Sequence, residues 1–476
     1  MIRKSVLIIL CVVLLIGANL FLAEKNEQVP RENIQETAEK IKEPAAGPPA
    51  NNQAAAANSN EIAVENLETG RLPVVKYIID AHLFPDKRTL KGTEILTWIN
   101  KSTQRVDNLR FHLYYNGFKN PQTTFFQESK IYRESQKELS KLKFGGITIE
   151  KIRVIGGADS TAKMRFLSPD DGNPNDRTVM HLDLEKPVQH NQAISIKIDF
   201  ALEIPGIFSR TGAVDDYFFM GQWFPKIGVL QEDGAWNCHQ LHNYSEFFAD
   251  YGDYKVSLTV PGKFVVGATG NLIKNEKNRD GTITYFYEET NIHDFAWTAY
   301  PHFKKYVKQI KLPGNATETT VELLLSPHHG EAKERYLNSL EFALDFYAEN
   351  ISPYPYKKIT LVDPPLKGFL SAGMEYPTLI TLGYIGYLPQ SLNPAEKITV
   401  HEVGHQYWYG IVGSDEAGEA WLDEGITTFF EMEILDEYFT PGPSFLDLGI
   451  IHISAWEYRR ANYLSLLPVD KIGQAS

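Results

Sequence analysis

Two histidines four residues apart, His401 and His405, with Glu402 between them and Glu424 after a gap of eighteen residues, constrain this chain more than any other feature. Asn393-Pro394-Ala395-Glu396 stands just upstream. Asn393 reads as an N-cap, Pro394 as the first helical residue and Glu396 as the capping acid three positions on, so the histidines are expected on a helix. Residues four apart share a helix face about one turn apart, so both imidazoles can reach one point. Glu402 is rotated off that line, towards where a water would sit. Trp421-Leu422-Asp423-Glu424-Gly425 reads as the entry to a second helix, which would bring Glu424 against the first. Three protein ligands with a fourth position open is the pattern of a catalytic zinc site, here one Zn2+ per chain. The H-E-x-x-H pentapeptide alone recurs by chance; its pairing with Glu424 at this spacing makes the reading specific.

The rest of the chain is organised around that centre. Its 476 residues exceed one hydrophobic core. Residues 1–23 carry Arg3 and Lys4 before an apolar run from Val6 to Leu22, and read as a signal anchor or signal peptide. No small residue stands three before Ala18 or Ala23, which favours an uncleaved anchor, and Leu10 before Cys11 argues against a lipoprotein. Positive charge ahead of the run predicts that the remainder lies outside the cytoplasm. Residues 24–64 are rich in Ala, Asn, Glu and Pro with little to bury, as expected of a disordered linker.

From 65 to 305 the pattern is strand-like. Lys76–Leu83, Ile194–Phe200, Tyr254–Val260 and Ile283–Tyr287 alternate with period two, and Asp233-Gly234 and Asp280-Gly281 supply turns. An antiparallel β-sandwich or saddle-shaped sheet domain is expected. From 306 to 476 strands at Val321–Leu325 and Ile359–Val362 flank a helix over Glu331–Asn350, with Tyr336, Leu340, Ala343 and Tyr347 on one stripe. The fold class is multidomain α+β. The formal charge of -13 excludes a nucleic-acid partner, since nothing here would neutralise phosphates. With one cysteine, Cys238, outside the apolar run, the folded part holds no internal disulfide.

H-E-x-x-H, eighteen residues, then Glu within W-L-x-E-G, together with Gly373-Met374-Glu375 upstream, resembles the aminopeptidase N family of gluzincin metallopeptidases. The resemblance spans roughly residues 70–476, with the sheet domain first and a thermolysin-like catalytic domain second. It implies zinc held by His401, His405 and Glu424, and Glu402 as general base on a water. It also implies peptide substrates with a free N-terminus, whose α-amine pairs with Glu375 in the Gly373-Met374-Glu375 loop. Tyr376 stands where the family has Asn. Gln222, in Gly221-Gln222-Trp223, resembles the sheet-domain Gln that lines the substrate pocket. Glu431, Asp415 and Asp423 are candidates to orient the ligand histidines. Tyr458 and Tyr463 fall too early to match the family's oxyanion tyrosine, so the catalytic domain is expected to be incomplete at its C-terminus. Other outcomes open to this pattern are a membrane-tethered zinc-binding fragment with weak or no activity, and an endopeptidase or epoxide hydrolase on the same scaffold.

Several patterns read as decoys. Cys238-His239 with His242, and His328-His329 with Glu331, lack full ligand sets, and the acidic loop 170–176 lacks calcium-loop order. Asn100, Asn243, Asn315 and Asn350 open glycosylation sequons.

Overall fold

A computed structural model of the chain describes residues 73–129, 142–243, 246–384, 386, 393–447 and 452–466. The apolar run, the linker and Cys11 lie outside the described residues. Among the described residues no helix is long and apolar enough to cross a membrane. Of the described residues, Pro73–Trp456 belong to one compact unit and 457–466 to a second. In the second unit the described residues, 457–466, are helical.

The period-two segments are strands. Val75–Phe84 buries Val75, Tyr77, Ile79, Ala81 and Leu83 and turns the alternate residues outward. Such β-branched and aromatic side chains fit a pleated, half-buried surface. This strand lies inside a seven-stranded sheet ordered Asn271–Lys277, Thr282–Ile292, Gly252–Pro261, Val75–Phe84, Thr89–Ile99, Ala193–Glu203, Gly146–Val154. The sheet is not wholly antiparallel: Val75–Phe84 runs parallel to Gly252–Pro261, in a register that pairs Tyr77 with Tyr254. Their rings stack at 4.7 Å, and the Ile227 N–H donates to the Tyr77 hydroxyl at 3.0 Å. Parallel neighbours need a long connection; the intervening residues supply one four-stranded antiparallel sheet and two strands of a second, which Val265–Ala268 and Trp297–Tyr300 complete. The second places Tyr217–Met220 beside Trp297–Tyr300. The expected turns form: the Asp280 carboxylate accepts from the Thr282 N–H at 3.0 Å, and Asp233 accepts from the Ala235 N–H at 2.8 Å.

The zinc motif belongs to a second layer. Lys304–Ile310, Thr319–Leu325, Lys358–Val362 and Leu379–Thr381 form a four-stranded sheet, antiparallel at its first pair and parallel after it. Helix α1 (Lys333–Asn350) makes the crossover between the first parallel pair and buries Tyr336, Leu340, Ala343 and Tyr347, the stripe read from the sequence. Helix α2 (Pro394–Trp408) and helix α3 (Ile426–Phe439) pack on α1 and on each other. Tyr347 of α1 stacks on Tyr407 of α2 at 4.3 Å, and Trp408 stacks on Phe430 of α3 at 5.2 Å. Gly404, inside the H-E-x-x-H run, sets how near α2 and α3 lie. A Cβ there would stand 2.8 Å from Thr427 and 3.0 Å from the Tyr347 hydroxyl.

The start of α2 departs from expectation. Pro394 is the first helical residue, but Asn393 is left-handed (φ 47°) and makes no side-chain cap. Its amide donates instead to the Ser444 carbonyl, and Glu396 turns away from the helix end to pair with Arg335 of α1. A guanidinium fork outcompetes a backbone N–H for a carboxylate because the bond is charge-assisted twice. Asn100 is also reassigned: it is fully buried, its amide donating to the carbonyls of Gln104 and Val188, which excludes a glycan in the folded chain.

Candidate metal centre

α2 carries His401 and His405 on one face, as their spacing requires. The third residue arrives by a less regular route. Trp421–Gly425 is a π-helical turn that leads into α3. Such wide turns recur at functional positions, and here consecutive residues serve one centre: Asp423 reaches His405 and Glu424 reaches the open side. His401 Nε2 stands 3.1 Å from His405 Nε2, and Glu424 Oε2 lies 3.3 Å and 3.8 Å from those two nitrogens. An ion bonded at about 2.1 Å in tetrahedral geometry needs ligand atoms roughly 3.3 Å apart. The triangle fits. It is also the one group of three or more potential metal ligands among the described residues.

The far nitrogens explain the triangle's chemistry. His401 Nδ1 bonds Glu431 at 2.9 Å, and His405 Nδ1 bonds Asp423. Carboxylates only accept, so each Nδ1 carries the proton and each Nε2 presents a lone pair. Three acceptors therefore converge with no donor among them, which a cation resolves. Of the three proposed orienting acids, Asp415 takes no part: it accepts from Asn237 at 2.6 Å and closes the turn to Gly418.

The other expected residues line up beside the triangle. Glu402 is buried, and burial lifts its carboxyl to about 7 against the pull of His401 and His405. A divalent cation would pull it lower again. Gly373 is left-handed (φ 67°), and its N–H donates to Thr381 O at 2.9 Å while Thr381 N–H donates to Met374 O at 2.8 Å. These two bonds lay the Gly373–Glu375 loop along the edge of the catalytic sheet. A Cβ on Gly373 would sit 3.7 Å from Glu402 Oε1, so the loop borders the Glu402 carboxyl directly. Met374 packs in the core, and the Glu375 side chain is almost wholly enclosed. Burial, then the charges of Glu246, Glu402 and Asp423, push the Glu375 carboxyl well up, with Arg210 opposing them.

Gln222 occupies a buried polar knot. Its amide donates to Asp294 and accepts from Lys226 at 2.9 Å, while Lys226 and Asp294 pair at 2.7 Å. It also borders a cavity of ≈ 10 Å³, room for about one water, which Arg210 and Phe247 share.

Three residues near the centre escaped the sequence reading. Gln406, next to His405, donates to the carbonyls of Glu375 and Tyr376 at 3.2 Å and accepts from the Thr378 N–H at 2.8 Å. It clips the stretch from Glu375 to Thr378 to α2. Its adjacency to the motif was the available signal. Arg210 and Glu246, which form a partly buried fork beside the Gly373–Glu375 loop, had none, because only the tertiary fold brings them there.

Two decoys meet away from the centre. His242 donates from Nδ1 to Glu128 at 2.8 Å and from Nε2 to Asp170 at 3.0 Å. The Asp170 bond, with Glu128 adding to it against burial, raises the imidazole to about 9. A folded pKa above the unfolded value of 6.5 means stability fully present below pH 6.5 and lost as pH rises through about 9. The melting temperature is therefore expected to fall over that window in the wild type and to fall less in His242→Gln. Equal slopes in the two proteins would contradict this. Cys238 is buried, and burial pushes its thiol up, away from reactivity. His329 bonds Asp363 at 2.7 Å inside the catalytic sheet.

This donor set on two packed helices makes a candidate metal centre of the H-E-x-x-H type. The Peptidase family M1 domain matches residues 335–458, which contain the whole centre. The chain is similar to Aminopeptidase M1-D of Oryza sativa subsp. japonica, at 28% identity over 195 residues, covering 39% of this chain and 22% of that protein. It is also similar to Aminopeptidase N of Plutella xylostella, at 34% over 109 residues, covering 20% of this chain and 11% of that one. The chain thus spans about a fifth of the length of the first curated relative it matches. In fold it is similar to an M1 zinc metallopeptidase from Deinococcus radiodurans, with TM-score 0.52 at 13% identity over 77% of this chain and 71% of that one. A variant of that enzyme bound to a Tyr-Ser-Ala substrate gives 0.50 at 14%. Over residues 335–458, which hold the whole centre, the chain is thus similar to peptidase family M1, the aminopeptidase N family, and zinc is the ion which that similarity implies.

Proposed function

We propose that this protein is a zinc aminopeptidase that releases N-terminal residues from peptides. The observation that carries the reading is the shared wall: three acceptors fit for zinc, with Glu402 and the Gly373–Glu375 loop alongside. When bound, zinc acts as a Lewis acid on the scissile carbonyl and acidifies water. Glu402, its carboxylate bordered by Gly373, accepts the proton of the attacking water and delivers it to the departing amine. Glu375 holds the substrate's ammonium and so registers the first peptide bond over the centre. Glu431 and Asp423 keep the histidines in the required tautomer. On this reading residues 65–305 form the N-terminal β domain, with Gln222 on the substrate side, and residues 306–476 the catalytic domain. Residues 1–23 anchor it to a membrane through the 24–64 linker, with the catalytic domain outside the cytoplasm.

The test compares aminoacyl anilides with their N-acetylated forms. A hydrogen-bonded ion pair contributes about 1.5–3 kcal/mol, so kcat/KM should favour the free amine by roughly 10- to 150-fold. Equal rates would instead indicate an endopeptidase, since Glu375 would then grip nothing.

A further inference from the structure

Glu375 has a neighbour that its role leaves unexplained. Arg210 is tied to both flanks of the Gly373–Glu375 loop: its N–H donates to Leu370 O at 2.9 Å, and its own carbonyl accepts from the Tyr376 hydroxyl at 3.4 Å. The charges of Arg210 and Glu375 act on each other. A guanidinium and a carboxylate held this way are natural partners, and their union would mask the charge that an ammonium needs. That union does not form. Arg210 Nη1 and Nη2 both turn to Glu246, one to each carboxylate oxygen, and the guanidinium lies 5.3 Å over the Phe247 ring. The two side chains are 26% and 12% exposed, which limits screening by solvent.

We propose that Glu246 is a positioning residue that occupies Arg210 and so leaves Glu375 open to the α-ammonium of the substrate. The inference rests on the aminopeptidase reading of Glu375. In Glu246→Gln the fork loses its charge, and Arg210 is free to turn to Glu375, whose charge already acts on it. The substrate must then displace an internal cation before binding, while the chemistry after binding is unchanged. Removing Arg210 as well removes the competitor.

The experiment measures KM and kcat on an aminoacyl anilide for the wild type, Glu246→Gln, Arg210→Gln and the double variant, with zinc content and melting temperature for each. KM should rise roughly 10- to 100-fold in Glu246→Gln with kcat little changed. The double variant should return KM close to the wild-type value, and Arg210→Gln alone should not raise it. A purely structural role for the pair predicts the opposite, with the double variant as impaired as either single one. An unchanged KM in zinc-loaded Glu246→Gln, or no rescue in the double variant, overturns the proposal. Should Glu246→Gln fail to fold, a raised KM in folded Arg210→Gln overturns it and an unraised one supports it. A wild type indifferent to N-acetylation would remove the aminopeptidase reading itself. Discrimination against the acetylated substrate, with no shift in Glu246→Gln, would remove this inference alone.

Discussion

Glu402→Ala should keep its zinc and hydrolyse aminoacyl anilides about 10²- to 10⁴-fold more slowly than the wild type, the usual contribution of a positioned general base. The separation of the two effects follows from geometry. Glu402 lies on α2 between the ligand histidines, yet the triangle of His401, His405 and Glu424 uses none of its atoms. The orienting bonds from Glu431 and Asp423 are likewise untouched. What the variant loses is a buried carboxylate whose proton affinity sits near neutrality, lifted by burial to about 7 before any cation acts on it. Steady-state rates and metal analysis on the same preparation check the prediction. Full activity in the variant would mean that another group takes the proton.

The second large effect concerns the metal itself. His405→Ala should abolish stoichiometric zinc and, unlike Glu402→Ala, should also destabilise the fold. Asp423 is wholly buried, its Oδ1 bonded to His405 and its Oδ2 without a partner. Removing the imidazole strands that carboxylate, and breaking a buried pair from one side costs about 3–5 kcal/mol. Asp423→Asn should be milder. Asparagine can still accept from Nδ1–H, so the tautomer survives and zinc affinity drops roughly 10- to 100-fold. Metal titrations and thermal melts of the two variants rank them; equal zinc affinity in His405→Ala and the wild type would remove His405 from the ligand set.

Much of this centre was legible because its parts are local. The His401–His405 spacing, Pro394 at the helix start and the alternation of Val75–Phe84 each need only a few neighbouring residues to be read. The errors arose where distant partners decide. Asn393 and Glu396 had the letters of a capping box, but Arg335 on α1 and Ser444 claimed their side chains. Asp415 and Asp423 were equivalent as letters, and only the π-helical turn at Trp421–Gly425 aims Asp423 at His405. The parallel pairing of Val75–Phe84 with Gly252–Pro261 joins segments far apart in the chain, which periodicity cannot indicate. Arg210 and Glu246 belong to the same class: isolated charges in sequence, a partly buried fork in space.

The most direct test of the account is the zinc content of the purified, folded chain after dialysis, measured beside Glu424→Gln. The account predicts about one tightly held zinc per wild-type chain and a marked loss in the variant, because three protein ligands leave little redundancy. A folded wild type that takes up no zinc, or a variant that holds it equally well, would contradict the assignment of His401, His405 and Glu424 as its ligands.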